Sequence, residues 1–210
     1  MSSELIYTDG ACSGNGTRNA TGGFGLFIAK SDIFSGPVKI NKKGETMEFD
    51  INGKKETFYI TNIRMEGLAI VSTLALYTDA LINNPNDDTI LKRLNRISFN
   101  ANNLDVVGHH TSKHFVIEIV TDSLFWINVI ESWMPTWIRK GIMMEKKNPD
   151  ILLLLRYYTE LMKQNNIQII FTHVKSHQKG KRTHHADGND VADVLATSSV
   201  SNISNDFTIV

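Results

Sequence analysis

Phe115–Ser123 reads FVIEIVTDS, and this stretch decides the fold. β-Branched and apolar residues, interrupted only by Glu118, make Phe115–Thr121 a strong strand that ends at Asp122. Ser123 is a favoured N-cap for a helix running through Glu131. Downstream, Pro135 favours a new helix start within Trp133–Lys140, and Pro149 stands at or near the first position of a helix over Pro149–Gln164. Ile167–Val174 (IQIIFTHV) reads as the last strand and Gly188–Ser198 as the last helix. Upstream, Glu4–Thr8 is a first strand running into Asp9-Gly10, and Gly22–Ala29 (GGFGLFIA) is a second. A loop rich in Gly, Ser and Asn joins them. Asn52-Gly53 is a two-residue hairpin signal within Met47–Ile60, which is expected to carry an extra strand pair. Leu68, Ala69, Val71, Ala75 and Leu76 recur at helical spacing within Asn62–Ala80. Ile82–His114, with its NNPNDD and NANN runs, reads as an insertion within one domain over residues 1–210. Strands thus precede the first helix and alternate with helices afterwards, which implies an α/β fold with a mixed sheet flanked by helices.

Lys plus Arg and Asp plus Glu each total 22 of 210 residues, so the formal net charge is zero. A strong nucleic-acid binder is usually basic, and the total lends no support to one. Distribution matters more. Arg139–Lys147 (RKGIMMEKK) and Lys175–Arg182 (KSHQKGKR) are locally basic, although a charge run alone usually marks solvated surface. Hydrophobic residues at 41% and charged residues at 21% describe a soluble globular chain able to bury a core. No stretch approaches the roughly 18–20 apolar residues of a membrane span. The start, MSSELIYTDG, lacks a basic segment followed by an apolar one. The single cysteine, Cys12, fits a reducing setting. The expectation is an intracellular protein, cytoplasmic or nuclear and not secreted, monomeric, with no membrane association and no obligate protein partner.

Four acids stand where an apolar run meets a turn or a helix: Asp9 (IYTDG), Glu66 (TNIRMEG), Asp122 (IVTDS) and Asp193 (GNDVADVLA). Read singly, each is an ordinary turn former or cap. Glu66 also suits a helix N-terminus, and Asp122 could share the capping with Ser123. Asp193 is harder to dismiss, because it breaks an otherwise apolar helix face. Brought together, the four make an oxygen-rich cage for two Mg²⁺ ions, with Mn²⁺ able to take their place. Two ions about 4 Å apart suit phosphodiester hydrolysis, activating a water and stabilising the leaving 3′ oxygen. Without metal, clustered carboxylates repel, and at least one holds its proton more tightly.

The local words YTDG…SGNG, TNIRME, TDSLFWIN and HVKSH followed by GNDVADVLA occur in that order. Together they resemble the type 1 ribonuclease H family, closest to the catalytic domain of its eukaryotic branch, over roughly two-thirds of the chain. The resemblance implies a ribonuclease H-like fold: a mixed five-stranded sheet, its first three strands antiparallel, flanked by helices. It also implies an endonuclease that cuts the RNA strand of RNA–DNA hybrids with two metals, leaving 3′-hydroxyl and 5′-phosphate ends. Asp9, Glu66, Asp122 and Asp193 match the metal ligands. His177 matches a histidine on the loop before the last helix that assists proton transfer or product release. Cys12, Asn15 and Asn62 match positions that sense the hybrid in the minor groove, where a 2′-hydroxyl both donates and accepts. Trp133 and Trp137 match the aromatic pair of the DNA-strand channel, and Thr61 and Asn148 match the pocket for a DNA phosphate. On their own residues, Asn15-Gly16 fits a turn, the tryptophans fit core packing as readily as a channel wall, and His177 fits a loop histidine.

The chain departs from the family pattern in four places. The loop between His177 and Asp193 is long, Ile63 replaces a polar residue after TN, Tyr59 stands where the eukaryotic branch has a pocket arginine, and Glu145 thins the basic protrusion. The long loop implies slower closure or added phosphate contacts, whereas Ile63, Tyr59 and Glu145 imply a looser grip and low processivity. Two alternatives keep the fold: a nuclease for duplex RNA or DNA junctions, and a weakly active hybrid-binding module. A third is a Zn²⁺ site from His173, His177, His184 and His185, which lacks a nearby cysteine.

Overall fold

Five strands form the main sheet, in the order β3 (Asp32–Pro37), β2 (Thr21–Ile28), β1 (Ser2–Ser13), β6 (Phe115–Thr121), β7 (Ile167–His173). The computed structural model describes residues 2–17, 19–28, 32–37, 49–51, 54–56, 58–78, 115–176 and 183–201. β1 (Ser2–Ser13) lies at the centre, antiparallel to β2 (Thr21–Ile28) and parallel to β6 (Phe115–Thr121). β3 (Asp32–Pro37) adds antiparallel to β2, and β7 (Ile167–His173) adds parallel to β6. The sheet is therefore mixed, five-stranded and antiparallel across its first three strands, as expected.

The strand pair expected within Met47–Ile60 is present but stands apart from the main sheet. Met47–Ile60 supplies β4 (Phe49–Ile51) and β5 (Lys54–Glu56), which pair only with each other. Ile51 faces Lys54 in that pair, consistent with a two-residue connection, but Asn52 and Gly53 lie outside the described residues. The third sheet strand is DIFSGP instead. Its glycine and closing proline weaken the strand signal, and proline is tolerated here because β3 is an edge. The insertion expected at 82–114 also lies outside the described residues.

α1 (Asn62–Thr78) is buried nearly all round, because it lies between the sheet and α4 (Pro149–Gln164). Ile6, Phe24 and Leu26 of the sheet meet Met65, Leu68 and Val71 of α1, Trp126, and Leu152–Leu155 of α4 in one core cluster. α5 (His184–Ser201) covers the opposite face over a smaller cluster of Tyr7, Val120, Val174, Ala186 and Ala192. It begins four residues before the expected Gly188, since Thr183 receives the Ala186 N–H and starts the first turn earlier.

The two helices expected around Pro135 are one continuous rod. α2 (Leu124–Asn128) passes through a π-helical turn at Val129–Trp133 into α3 (Met134–Arg139). Pro135 has no N–H to give, and the wider turn, closed by Met134 N–H to the Val129 carbonyl, carries the chain past that gap. Among the described residues no helix is long and apolar enough to cross a membrane.

Candidate active site

The parallel ladder between β1 and β6 pairs Tyr7 with Val120. Two residues beyond that pair come Asp9, within β1, and Asp122, just past the end of β6. Asp9 pairs across the sheet with Gly25, on the face that α5 covers. A Cβ on Gly25 would collide with the Ala192 carbonyl and the Ala196 N–H, so α5 lies hard against the sheet one residue from Asp193. Gly10 points the other way, and a Cβ there would land on the Met65–Glu66 peptide of α1. One dipeptide thus supplies an acid and lets two helices approach from opposite faces. Asp9, Glu66, Asp122 and Asp193 line a single open cleft of about 660 Å³, together with Cys12, Asn62 and Ser176. The four acids singled out in the sequence do meet.

Their crowding is visible in their protonation. Burial raises the Asp9 carboxyl to about 8, and the charges of Asp122, Asp193 and Glu66 push the same way, against a 2.7 Å bond from the Gly10 N–H. Glu66 is also raised, mainly by burial and then by Asp122, while Ser123 and Asn62 oppose the rise. Carboxylate oxygens crowded in a polar cleft suit a hard divalent cation. They share the cleft walls, however, and do not converge on a point: among the described residues no three His, Cys, Asp or Glu side chains are grouped ready to hold a metal. The histidine alternative fares no better. His173 and His184 are exposed, His185 lies 3.4 Å from the Tyr7 hydroxyl, and His177 lies outside the described residues.

Ser123 stands at the N-cap of α2, as expected, but its side chain makes no cap bond; its Oγ donates instead to Glu66 Oε2 at 2.6 Å. The other Glu66 oxygen accepts from Asn62 Nδ2 at 2.7 Å, and the Asn62 backbone N–H donates to Asn15 Oδ1 at 3.1 Å. Asn15 is therefore more than a turn former, since it ties its loop to the start of α1. Cys12 is half-buried against the core at the cleft margin.

The three tryptophans divide. Trp126 is fully buried and donates its indole N–H to the Ile63 carbonyl at 2.6 Å. Trp133 is 40% exposed and 6.0 Å from the Trp137 ring, which packs partly against the core and carries Lys146 at 5.6 Å. The pair is thus an aromatic ledge, exposed at Trp133 and anchored at Trp137.

Thr61 and Asn148 are joined through Arg64. Thr61 Oγ1 accepts the Arg64 backbone N–H at 3.3 Å, and Asn148 Oδ1 accepts from the guanidinium at 3.0 Å. Asn148 is held in the left-handed region at φ 60°. Arg64 itself is buried, paired with Asp150 through both nitrogens and stacked over Phe58 at 4.6 Å. Arg64, Asp150 and Ser123 were missed as site residues. Arg64 and Ser123 lie inside the TNIRME and TDSLFWIN words, and Asp150 lies two residues after Asn148, which was the available signal. Tyr59 and Ile63, the two departures near α1, are both exposed.

A family model described as RNase H matches residues 1–201. No curated protein matches the sequence. Among solved structures the chain is similar to the RNase H domain of PFV, prototype foamy virus, at 18% identity and TM-score 0.51, covering 94% of each chain. It is also similar to LC9-RNase H1, described as a type 1 RNase H with the type 2 active-site motif, at 16% identity and TM-score 0.52, over 100% of this chain and 77% of that one. A foamy viral protease–reverse transcriptase solved with RNA/DNA hybrid matches over 95% of this chain and 20% of its own, at 17% identity and TM-score 0.51. That last similarity is to one part of a larger protein, and at these identities each likeness is one of fold.

Proposed function

Because the chain belongs to the RNase H family, and is an enzyme of that class, we propose that it cuts the RNA strand of RNA–DNA hybrids internally, leaving 3′-hydroxyl and 5′-phosphate ends. The observation that carries this reading is the meeting of Asp9, Glu66, Asp122 and Asp193 in one cleft, from β1, α1, the end of β6 and α5. The family generally depends on divalent metal. Two bound Mg²⁺ ions, or Mn²⁺ in their place, would supply an activated water and neutralise charge at the leaving oxygen. Asp9, Glu66, Asp122 and Asp193 would hold them; ionising Asp9 is part of that binding, since its proton is retained up to about pH 8.

Asn15 and Asn62, exposed beside Glu66, offer amides to the RNA sugar, with Cys12 alongside. Trp133 and Trp137 offer an aromatic ledge to the DNA strand. With its Oδ1 held by Arg64, Asn148 keeps its amide N–H groups outside that bond, and with Thr61 it suits a backbone phosphate. His177 is assigned proton transfer or product release on resemblance alone. The hybrid bound to the foamy viral protein is consistent with this substrate.

The decisive experiment is one gel with separately labelled strands. Hybrid, duplex RNA, duplex DNA and single-stranded RNA are each offered with Mg²⁺ or Mn²⁺, to wild type and to Asp122→Asn. Cleavage should be confined to the RNA of the hybrid and be lost in the variant. Intact hybrid, or a variant that cuts equally well, would overturn the reading.

A further inference from the structure

Glu66 is held at both carboxylate oxygens, by Asn62 Nδ2 at 2.7 Å and by Ser123 Oγ at 2.6 Å. Asn62 lies four residues before Glu66 on α1, so the two share a face. The loop at Gly14–Thr17 is tied to the same helix start twice. Asn15 Oδ1 takes the Asn62 N–H, and the Gly16 N–H donates to the Ile60 carbonyl, both at 3.1 Å. At the other end Ser123 is 6% exposed, and its backbone N–H is fixed by Thr121 Oγ1 at 3.2 Å. A continuous relay therefore runs from an exposed loop, through Asn62 and Glu66, to the end of β6 beside Asp122. Asn62 spends one amide hydrogen on Glu66, which leaves its second hydrogen and Oδ1 outside these bonds, a donor and an acceptor.

A glutamate side chain with no partners must be ordered each time it takes a ligand, whereas two donors on its carboxylate fix the plane and rotamer beforehand. We propose that Ser123 is a positioning residue whose hydroxyl sets the Glu66 carboxylate for cation binding, and that the Asn15–Asn62 arm ties the same carboxylate to the substrate-facing loop. This rests on the metal-holding role given to Glu66. Ser123 touches neither substrate nor cation; it acts through Glu66. Asn62 acts in both directions, on Glu66 through one N–H and on the ligand through the rest of its amide.

The test is Mn²⁺ binding by calorimetry, with Mn²⁺ alone as the probe, on wild type, Ser123→Ala, Ser123→Thr and Asn62→Ala. Hybrid cleavage kinetics are run in parallel across a Mg²⁺ series. Ser123→Ala should weaken Mn²⁺ about tenfold. It should raise the Mg²⁺ needed for half-maximal rate by a similar factor and lower kcat, with KM for hybrid within about twofold of wild type. Ser123→Thr keeps the hydroxyl and should restore binding. Asn62→Ala should weaken Mn²⁺ comparably and also raise KM; it carries the same test on the other oxygen if the alanine at 123 impairs folding. Wild-type Mn²⁺ affinity in Ser123→Ala, or a loss confined to KM, overturns the proposal. Should wild type bind Mn²⁺ yet cut no hybrid, the functional reading fails while calorimetry still decides the positioning role.

Discussion

The α1 wall of the cleft is braced by hydrogen bonds and a buried ion pair, whereas the α5 wall is set by backbone lying directly against backbone and rings. On the first, Arg64 is locked to Asp150 and Asn148, Trp126 holds the Ile63 carbonyl, and Glu66 is bonded at both oxygens. On the second, Gly25 admits the Ala192 turn, Gly188 rests on the Tyr7 ring, and Asp193 is met by Thr197 at 3.5 Å. Two acids of the same chemistry therefore face one cleft with different freedom. The α1 half is ordered in advance, and the α5 half follows wherever the helix backbone sits. Asp9 stands between them and feels both.

The largest expected effect tests that shared crowding. Asp9 has a folded value of about 8 against an ordinary 3.8. Between those values the unfolded chain is ionised at this residue while the folded chain keeps the proton. The folded state therefore binds more protons, and stability falls as pH rises from about 4 to 8, then levels off. The gap corresponds to on the order of 5 kcal/mol. Glu66 is raised as well and adds in the same direction. Denaturant melts in EDTA at pH 5 and pH 9 should show wild type weaker at pH 9 and Asp9→Asn much flatter. Equal wild-type stability at both would mean the acids are not crowded.

The α1 wall is tested next. Arg64→Ala strands Asp150 in the core and should cost about 3–5 kcal/mol by thermal or chemical melting. A loss within experimental error would remove the distinction between the two walls.

Glu66→Gln and Asp193→Asn compare the walls directly. Each should bind divalent metal more weakly. Glu66→Gln should lower hybrid cleavage more than about a hundredfold, beyond what loss of an outer partner usually costs. Asp193→Asn should cost less, because its carboxylate has not been fixed in advance. The reverse ranking in kcat would invert the comparison.

The smallest effect sharpens the α5 side. Gly25→Ala forces α5 off the sheet and should cost about 1–3 kcal/mol, with cleavage lowered through displacement of Asp193. A stable variant with unchanged kcat would show that the close contact does not set the position of Asp193.

Much of this was legible before any coordinates. The four acids carry recognisable surroundings, and β6 and α1 announce themselves by composition and spacing. What stayed hidden shares one cause: it depends on what lies across the fold. A serine after a strand looks the same whether it caps a helix or, as Ser123 does, grips a glutamate 57 positions earlier in the chain. The periodicity of α1 could not show Arg64 and Asp150 paired in the core, 86 positions apart. LFWINVIESWMPTW gave no way to tell the buried Trp126 from the exposed Trp133, because a π-helical turn shifts the facing of residues midway. β3 escaped because DIFSGP has no alternation and ends in proline. The long loop at His177 and the insertion at 82–114 lie outside the described residues.

Where Gly10 meets α1, the gap between strand and helix is closed by peptide against peptide. A spacing fixed in that way takes no instruction from side-chain volume. The hydrophobic interior can then exchange leucine for isoleucine or methionine over long descent without moving Asp9 relative to Glu66. Such a joint lets a fold persist while the sequence around it drifts. It also concentrates the cost of drift at one residue, because any side chain at position 10 would push apart the two elements whose closeness makes the cleft.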